Sequence, residues 1–257
     1  MKRALVTGGT RGIGYSLCQM LLRNNYEVVF TGRTQESVNK ALKTYHSNTK
    51  IQGTVLDMTD KYTMKTIPRY CEFDTVIHNA GMLSRDNITN MLETRLDKMF
   101  LVNSIFPICL TKFCLPHMTR KNKGNIFFFC PPYKIDAKTR TLTPYMQTKL
   151  AQTTFMYSLA DMLSKPYPGI HVSGFWTDYP IYTDALIHRQ IGQKDNCMNP
   201  DIIAKTVEYM LQDKKENIHG NVIIDHDYLI GKGENPNIWA LGDNLKRLDE
   251  LFLGKMR

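Results

Sequence analysis

Seven short runs rich in β-branched and aromatic residues (RALVTG, EVVFTG, IQGTVLD, DTVIHNAG, GNIFFFC, GIHVSGFW and NVIID) alternate with segments of helical period such as GYSLCQMLLRNN and YMQTKLAQTTFMYSLADML. Strands separated by helices pair through crossovers, so the sheet they build is parallel and covered on both faces. The pattern predicts an α/β fold, a doubly wound, mainly parallel seven-stranded sheet with helices on both faces. A chain of 257 residues without repeats, low-complexity tracts or Pro/Gly-rich linkers suits one domain spanning 1–257. The alternation stops after Asp225. In the last segment Leu245, Leu248, Leu251 and Phe252 share a helical face. Residues 240–257 are therefore expected to form an amphipathic helical tail that docks on the body or on another subunit.

The formal charge of +9 would admit a nucleic-acid partner. Apart from RKNK at 120–123, however, the cations are scattered, and a nucleic-acid-binding motif is lacking, so none is expected. The six cysteines (18, 71, 109, 114, 130 and 197) fall in periodic, core-like segments without metal-ligand spacing. They read as free thiols in a reducing compartment. The opening MKRALVTGG reads directly as a strand, so no signal peptide is expected. Apolar runs fall short of the ~18–20 residues of a membrane span. The expected location is cytoplasmic.

VTGGTRGIG stands where the first strand turns into the first helix, with Gly8, Gly12 and Gly14 in the spacing Gly-x-x-x-Gly-x-Gly. A dinucleotide's diphosphate approaches backbone N–H groups at such a helix start, where a Cβ would intrude. Thr10, Arg11 and Ile13 complete the turn of this Rossmann-type site. A dinucleotide lacking the 2′-phosphate is usually held by an acidic residue at the end of the second strand. This chain has Arg33 there and Arg11 inside the turn. Two guanidiniums suit a 2′-phosphate, so NADP(H) is expected over NAD(H). Asp57 and Met58 follow the third strand, with Asp57 placed to accept from the adenine amino group. Asn79, Ala80 and Gly81 follow the fourth, small enough to let the cofactor lie close.

The set TGGTRGIG, LDMTD, NAG, Asn103 in LVNS, YMQTK and DIIAKTVEYML…IHGNVIID, in this order, resembles the short-chain dehydrogenase/reductase family over nearly the whole chain. TRLDKMFLVNS, CPPY, FWTDYPIYTDA and HGNVIIDHDYL are similar to its hydroxysteroid dehydrogenase-like branch, which often carries a C-terminal sterol-carrier domain that 257 residues are not expected to include. The resemblance implies a small-molecule carbonyl or alcohol substrate and a homodimer or homotetramer built on the helices of Asn103 and Tyr145. It implies that Tyr145 donates a proton to the carbonyl while NADPH delivers hydride, and that Lys149 holds the nicotinamide ribose and lowers the tyrosine pKa. Asn103 would kink its helix and hold a relay water. Thr183 would contact the nicotinamide carboxamide.

Where the family has a serine, this chain has Cys130, immediately before Pro131 and Pro132. A thiol is a weaker donor than a hydroxyl, and losing one donor to an oxyanion costs ~3–4 kcal/mol. Three readings follow: a slow reductase, a nearby hydroxyl (Tyr133 or Thr143) in the serine's place, or a protein that binds NADPH without turnover. A second Tyr-x-x-x-Lys, Tyr228 to Lys232, is expected to be a loop. In DHD at 225–227, adjacent strand residues are expected to point to opposite faces and not to converge on one ion, so no metal site is expected. The segment from Asp178 to Pro200, with Tyr179, Ile181, Tyr182, Leu186 and Ile187, is expected to line an apolar substrate pocket.

Overall fold

A computed structural model describes residues 1–45, 49–66, 72–84, 86, 89–133, 143–188 and 193–248. Strands β1 (Lys2–Val6), β2 (Tyr26–Gly32), β3 (Ile51–Val55), β4 (Thr75–His78), β5 (Gly124–Phe129), β6 (Ile170–Trp176) and β7 (Val222–Ile224) coincide with the seven runs read from the sequence. They form one sheet in the order β3-β2-β1-β4-β5-β6-β7, parallel at every pairing. The chain winds outward from β1 to β3, then crosses back to lay β4 on the other side of β1. The C-terminal ends of β1 and β4 therefore flank the crevice where parallel sheets of this kind bind ligands.

Successive side chains of a strand face opposite ways, and each strand feeds two cores. Ala4, Val6, Val28, Phe30, Phe127 and Phe175 pack against one layer of helices. That layer holds α1 (Gly12–Arg23), α2 (Gln35–Thr44) and, following three further helices on the opposite face and the short α6 (Asp184–His188), α7 (Asp201–Gln212). Leu5, Val76, Ile126, Phe128, Cys130 and Val172 face the other layer. This layer is built from α4 (Phe106–Lys121), which continues α3 (Glu93–Phe100), and from α5 (Thr143–Ser164). The stretch Glu93–Lys121 is the one helix among the described residues long and apolar enough to cross a membrane. Half of its apolar window is buried inside the fold, where Phe106, Leu110, Cys114 and Met118 meet the sheet.

Two expectations about the C-terminal part are corrected. Tyr228 is not in a loop: it belongs to α9 (Asp225–Gly231), preceded by the short α8 (Lys215–Ile218), and Asp225 opens this helix instead of extending β7. Its Tyr-x-x-x-Lys pair is consumed locally, since Tyr228 Oη and Lys232 Nζ each donate to Asp213 Oδ2 at 2.7 Å. In the expected helical tail, residues 241–247 run without helix and Leu248, the last described residue, is helical. They dock on the body nonetheless: Leu245 packs on the first core, and Leu248 packs beside Met146, Tyr145, Leu83 and Leu186. Leu251 and Phe252 lie outside the described residues.

Candidate active site

The turn from β1 into α1 is built to let something approach its backbone. Gly8 and Gly12 take φ of +71° and +55°, conformations that favour glycine. At Gly14 a Cβ would sit 2.1 Å from the Gly8 carbonyl oxygen and 2.6 Å from Asn79 Nδ2, so no other residue fits. Helix α1 then starts with no side-chain cap and no acidic residue in its first turn. Its first N–H groups are left to an anion in the cleft. The donor set and the close approach fit the diphosphate of a dinucleotide.

The crevice is held open by residues that carry no binding motif of their own. Thr7 Oγ1 accepts from the N–H groups of Asn79 and Ala80, each at 3.0 Å, tying the end of β1 to the end of β4. Asn79 Nδ2 returns to the Thr7 carbonyl at 3.0 Å and the Gly8 carbonyl at 3.3 Å. Gly8 N–H donates to Thr31 Oγ1 on β2. Behind the turn, Tyr45 Oη donates to the Gly9 carbonyl at 2.9 Å. Thr7, Thr31 and Tyr45 were not legible as site residues, because a threonine in a strand looks like any β-branched residue. Thr7 stood beside the glycines and was the one with a positional signal.

The other expected cofactor residues gather around the same crevice. Thr10 approaches Gly32, where an added Cβ would come within 2.6 Å of Thr10 Cγ2. Ile13 packs on the core, and Met58 is buried. Asp57 is half-buried and accepts from Thr59 N–H and Thr59 Oγ1 at 2.9 and 2.7 Å. Gly81 faces Asn103, with 3.5 Å between its Cβ direction and Oδ1. Thr183 closes over the glycine turn, its Cγ2 3.0 Å from where a Cβ of Gly12 would be. The two arginines diverge. Arg11 pairs with Asp184 at the start of α6 at 3.1 Å, whereas Arg33 is exposed and has no ion-pair partner among the described residues.

Asn103 is fully buried in a π-helical turn, Leu101–Ile105, between α3 and α4. Pro107 has no N–H to return to the carbonyl four residues back, that of Asn103, so the α register breaks there. The Asn103 carboxamide accepts from Met82 N–H at 2.8 Å and donates to the Met82 carbonyl at 2.9 Å and to Thr148 Oγ1 at 2.8 Å. With Ser104 Oγ donating to the Thr148 carbonyl at 2.7 Å, this turn pins the first turns of α5 beside the loop after β4.

Tyr145 and Lys149 lie four residues apart on α5. Tyr145 is half-buried among Leu83, Met146, Leu186 and Leu248, and burial pushes its phenol above the ordinary range. Its hydroxyl makes no hydrogen bond among the described residues. Lys149 is fully buried, and burial lowers its ammonium to about 8. The Nζ donates to Gln152 Oε1 at 2.9 Å and lies 5.4 and 6.0 Å from the ring centres of Phe129 and Trp176.

Cys130 is brought near Lys149 but not near Tyr145. Its side chain is fully buried, continues the Ile126–Phe128 alternation into the second core, and meets the backbone of β6 at Gly174. Its thiol bonds to Thr153, eight positions and about 12 Å of helix beyond Tyr145. Burial pushes the thiol up to about 11. Of the alternative hydroxyls, Tyr133 is exposed, and the Thr143 side chain lies outside the described residues. In the expected pocket segment Ile181 belongs to the first core, and Tyr179 lies against the His226 ring at 5.1 Å. Only Leu186 of the named residues joins the apolar cluster at Tyr145.

Residues 2–189 match the family model described as short chain dehydrogenase. Among curated proteins the chain is similar to hydroxysteroid dehydrogenase-like protein 2 of Xenopus tropicalis and of Homo sapiens. Each is 24% identical over 96% of this chain, which spans 62% of their length. Among solved structures it is similar to a short chain dehydrogenase from Mycobacterium thermoresistibile, with a TM-score of 0.81, 21% identity, and coverage of 96% of this chain and 93% of the other. A metagenomic short-chain oxidoreductase in complex with NADP superimposes with a TM-score of 0.70 at 20% identity, covering 86% and 96%. The chain therefore belongs to the short-chain dehydrogenase/reductase family of oxidoreductases, and relatives it matches include proteins of the hydroxysteroid dehydrogenase-like branch.

Proposed function

We propose that the chain interconverts a carbonyl and an alcohol with NADP(H), on an apolar, lipid- or steroid-like substrate. The observation that carries the reading is the glycine turn, with its uncapped helix start and the Gly14 position that excludes any Cβ, in the same crevice as Thr183. When bound, the dinucleotide supplies or accepts the hydride. Tyr145 gives its phenolic proton to the carbonyl oxygen, or takes it back in the oxidation. Asn103 donates to Thr148 Oγ1, which donates to the Tyr145 carbonyl, so the two residues hold the first turn of α5 that carries the phenol. Leu83, Met146, Leu186 and Leu248 exclude water around that phenol and favour an apolar substrate.

The unpaired Arg33 at the end of β2 supports the choice of NADP(H). Arg33→Ala should weaken NADPH binding about tenfold or more, the effect of one charge-assisted hydrogen bond, and leave NADH binding nearly unchanged. Fluorescence titration with both dinucleotides checks this. Equal losses for the two would remove Arg33 from the 2′-phosphate site. Exposed Ile105, Ile108, Tyr157 and Met162 on the helices of Asn103 and Tyr145 support a homodimer or homotetramer built on that face. A second reading, an NADPH-binding regulator without turnover, is favoured by Cys130, a fully buried thiol where the family has a serine.

A further inference from the structure

The buried carboxamide of Gln152 has no part in the reading above. It is fully buried on α5, one turn beyond Lys149, and only one of its two ends is engaged: Oε1 accepts from Lys149 Nζ, while Nε2 has no partner among the described residues. An unsatisfied buried donor is costly, and a leucine or methionine of similar volume would pack there without that cost. What the carboxamide adds is its contact with Lys149.

That contact sets the direction of the lysine. Long side chains on a helix normally lean toward its N-terminus, which for Lys149 is the direction of Tyr145. Here the ammonium is carried the other way. It reaches Gln152, the Phe129 and Trp176 rings, and the neighbourhood of the Cys130 thiol, which bonds to Thr153. The groups that feel its charge are Cys130 at the end of β5 and His78 on β4. Burial keeps both uncharged near neutral pH, His78 at about 3 and the thiol at about 11. Burial also raises the Tyr145 phenol.

We propose that Gln152 is a positioning residue, a latch that holds Lys149 in an aromatic slot away from Tyr145 until a bound dinucleotide draws the ammonium out. The inference rests on the oxidoreductase reading, in which Lys149 serves the nicotinamide ribose and the tyrosine. Because the Gln152 contact holds the ammonium toward the C-terminal side of α5, it must be given up for Lys149 to reach a nicotinamide ribose, and so it opposes cofactor binding. Removing it should tighten binding, and strengthening it should weaken binding.

The test compares wild type with Gln152→Leu and Gln152→Glu, with Gln152→Met as a second neutral variant and thermal melts to confirm folding. In the cofactor-free proteins, the Lys149 Cε resonance is titrated with pH and assigned by its absence in Lys149→Met. Gln152→Leu should move its midpoint below the wild-type value near 8, because the ammonium loses its acceptor. Gln152→Glu should move it above that value. NADPH affinity by fluorescence should tighten about tenfold in Gln152→Leu and weaken by a similar factor in Gln152→Glu. A midpoint that moves in neither variant, or an affinity that shifts the same way in both, would overturn the latch. A wild type that binds neither dinucleotide would overturn the oxidoreductase reading instead, and the lysine titration would still report whether Gln152 holds Lys149.

Discussion

Cys130 is where sequence and structure part most clearly. Chain order puts it in the serine's place before two prolines, which suggests a weakened catalytic group. The fold shows a thiol sealed between β5, β6 and α5, with its hydrogen bond spent on Thr153. The warning was in the sequence: Ile126, Phe128 and Cys130 share the parity of one strand face, and the first two are core residues. Gln152 had no such signal, since a glutamine on a long helix reads as solvated until the sheet beneath it is known. Cys130→Ser is therefore expected to leave kcat within about threefold of wild type, not to raise it by the two to three orders of magnitude that a restored oxyanion donor would bring. Steady-state kinetics with any reducible carbonyl decides between the two.

At the scale of elements, the reading succeeded where periodicity and turn chemistry agree. The seven strands are β-branched or aromatic runs bounded by Gly, Asp or Asn, and the glycine turn stands between the first strand and the first helix. It failed after Asp225, where a buried carboxylate changes the path. Asp225 is fully buried, and one of its oxygens accepts from Asp178 N–H at 3.0 Å and His226 N–H at 2.7 Å. It thereby starts α9 and clamps the turn after β6, which leads to Thr183. Sequence gave no hint that residues 47 positions apart meet here. Burial raises this carboxyl to about 6, above the ordinary value near 3.8. A raised acid stabilises the fold below its unfolded pKa, and that contribution is lost as pH climbs from about 4 through about 6. Asp225→Asn keeps an acceptor and removes the charge, so it should match wild-type stability near pH 4 and equal or exceed it above pH 6. Asp225→Ala loses both contacts and should cost about 1–3 kcal/mol. Urea melts at the two pH values check both statements.

For the whole molecule, two Tyr-x-x-x-Lys pairs on two helices separate motif from context. Both were visible in the chain, and the choice of Tyr145 rested on its place at the start of a long helix after β5. The structure explains why the other pair is inert in the crevice: Tyr228 and Lys232 are bound to Asp213, whose carboxyl they help hold well below its usual range. That network contributes stability above the ordinary carboxylate pKa and loses it as the solution is acidified. Tyr228→Phe should lower stability by about 1 kcal/mol, read from urea melts near neutral pH, and leave NADPH binding and turnover unchanged. Tyr145→Phe should leave stability and NADPH binding nearly unchanged and lower turnover alone. The most direct test of the account is therefore NADPH oxidation by wild type and Tyr145→Phe against aldehydes, diketones, quinones and 3-keto lipids, after NADPH binding is verified for each. The account predicts turnover in wild type with at least one carbonyl, and a loss of about a hundredfold or more in Tyr145→Phe with binding intact. Turnover that survives the loss of the Tyr145 hydroxyl, or a wild type that binds NADPH and reduces none of these carbonyls, would contradict it.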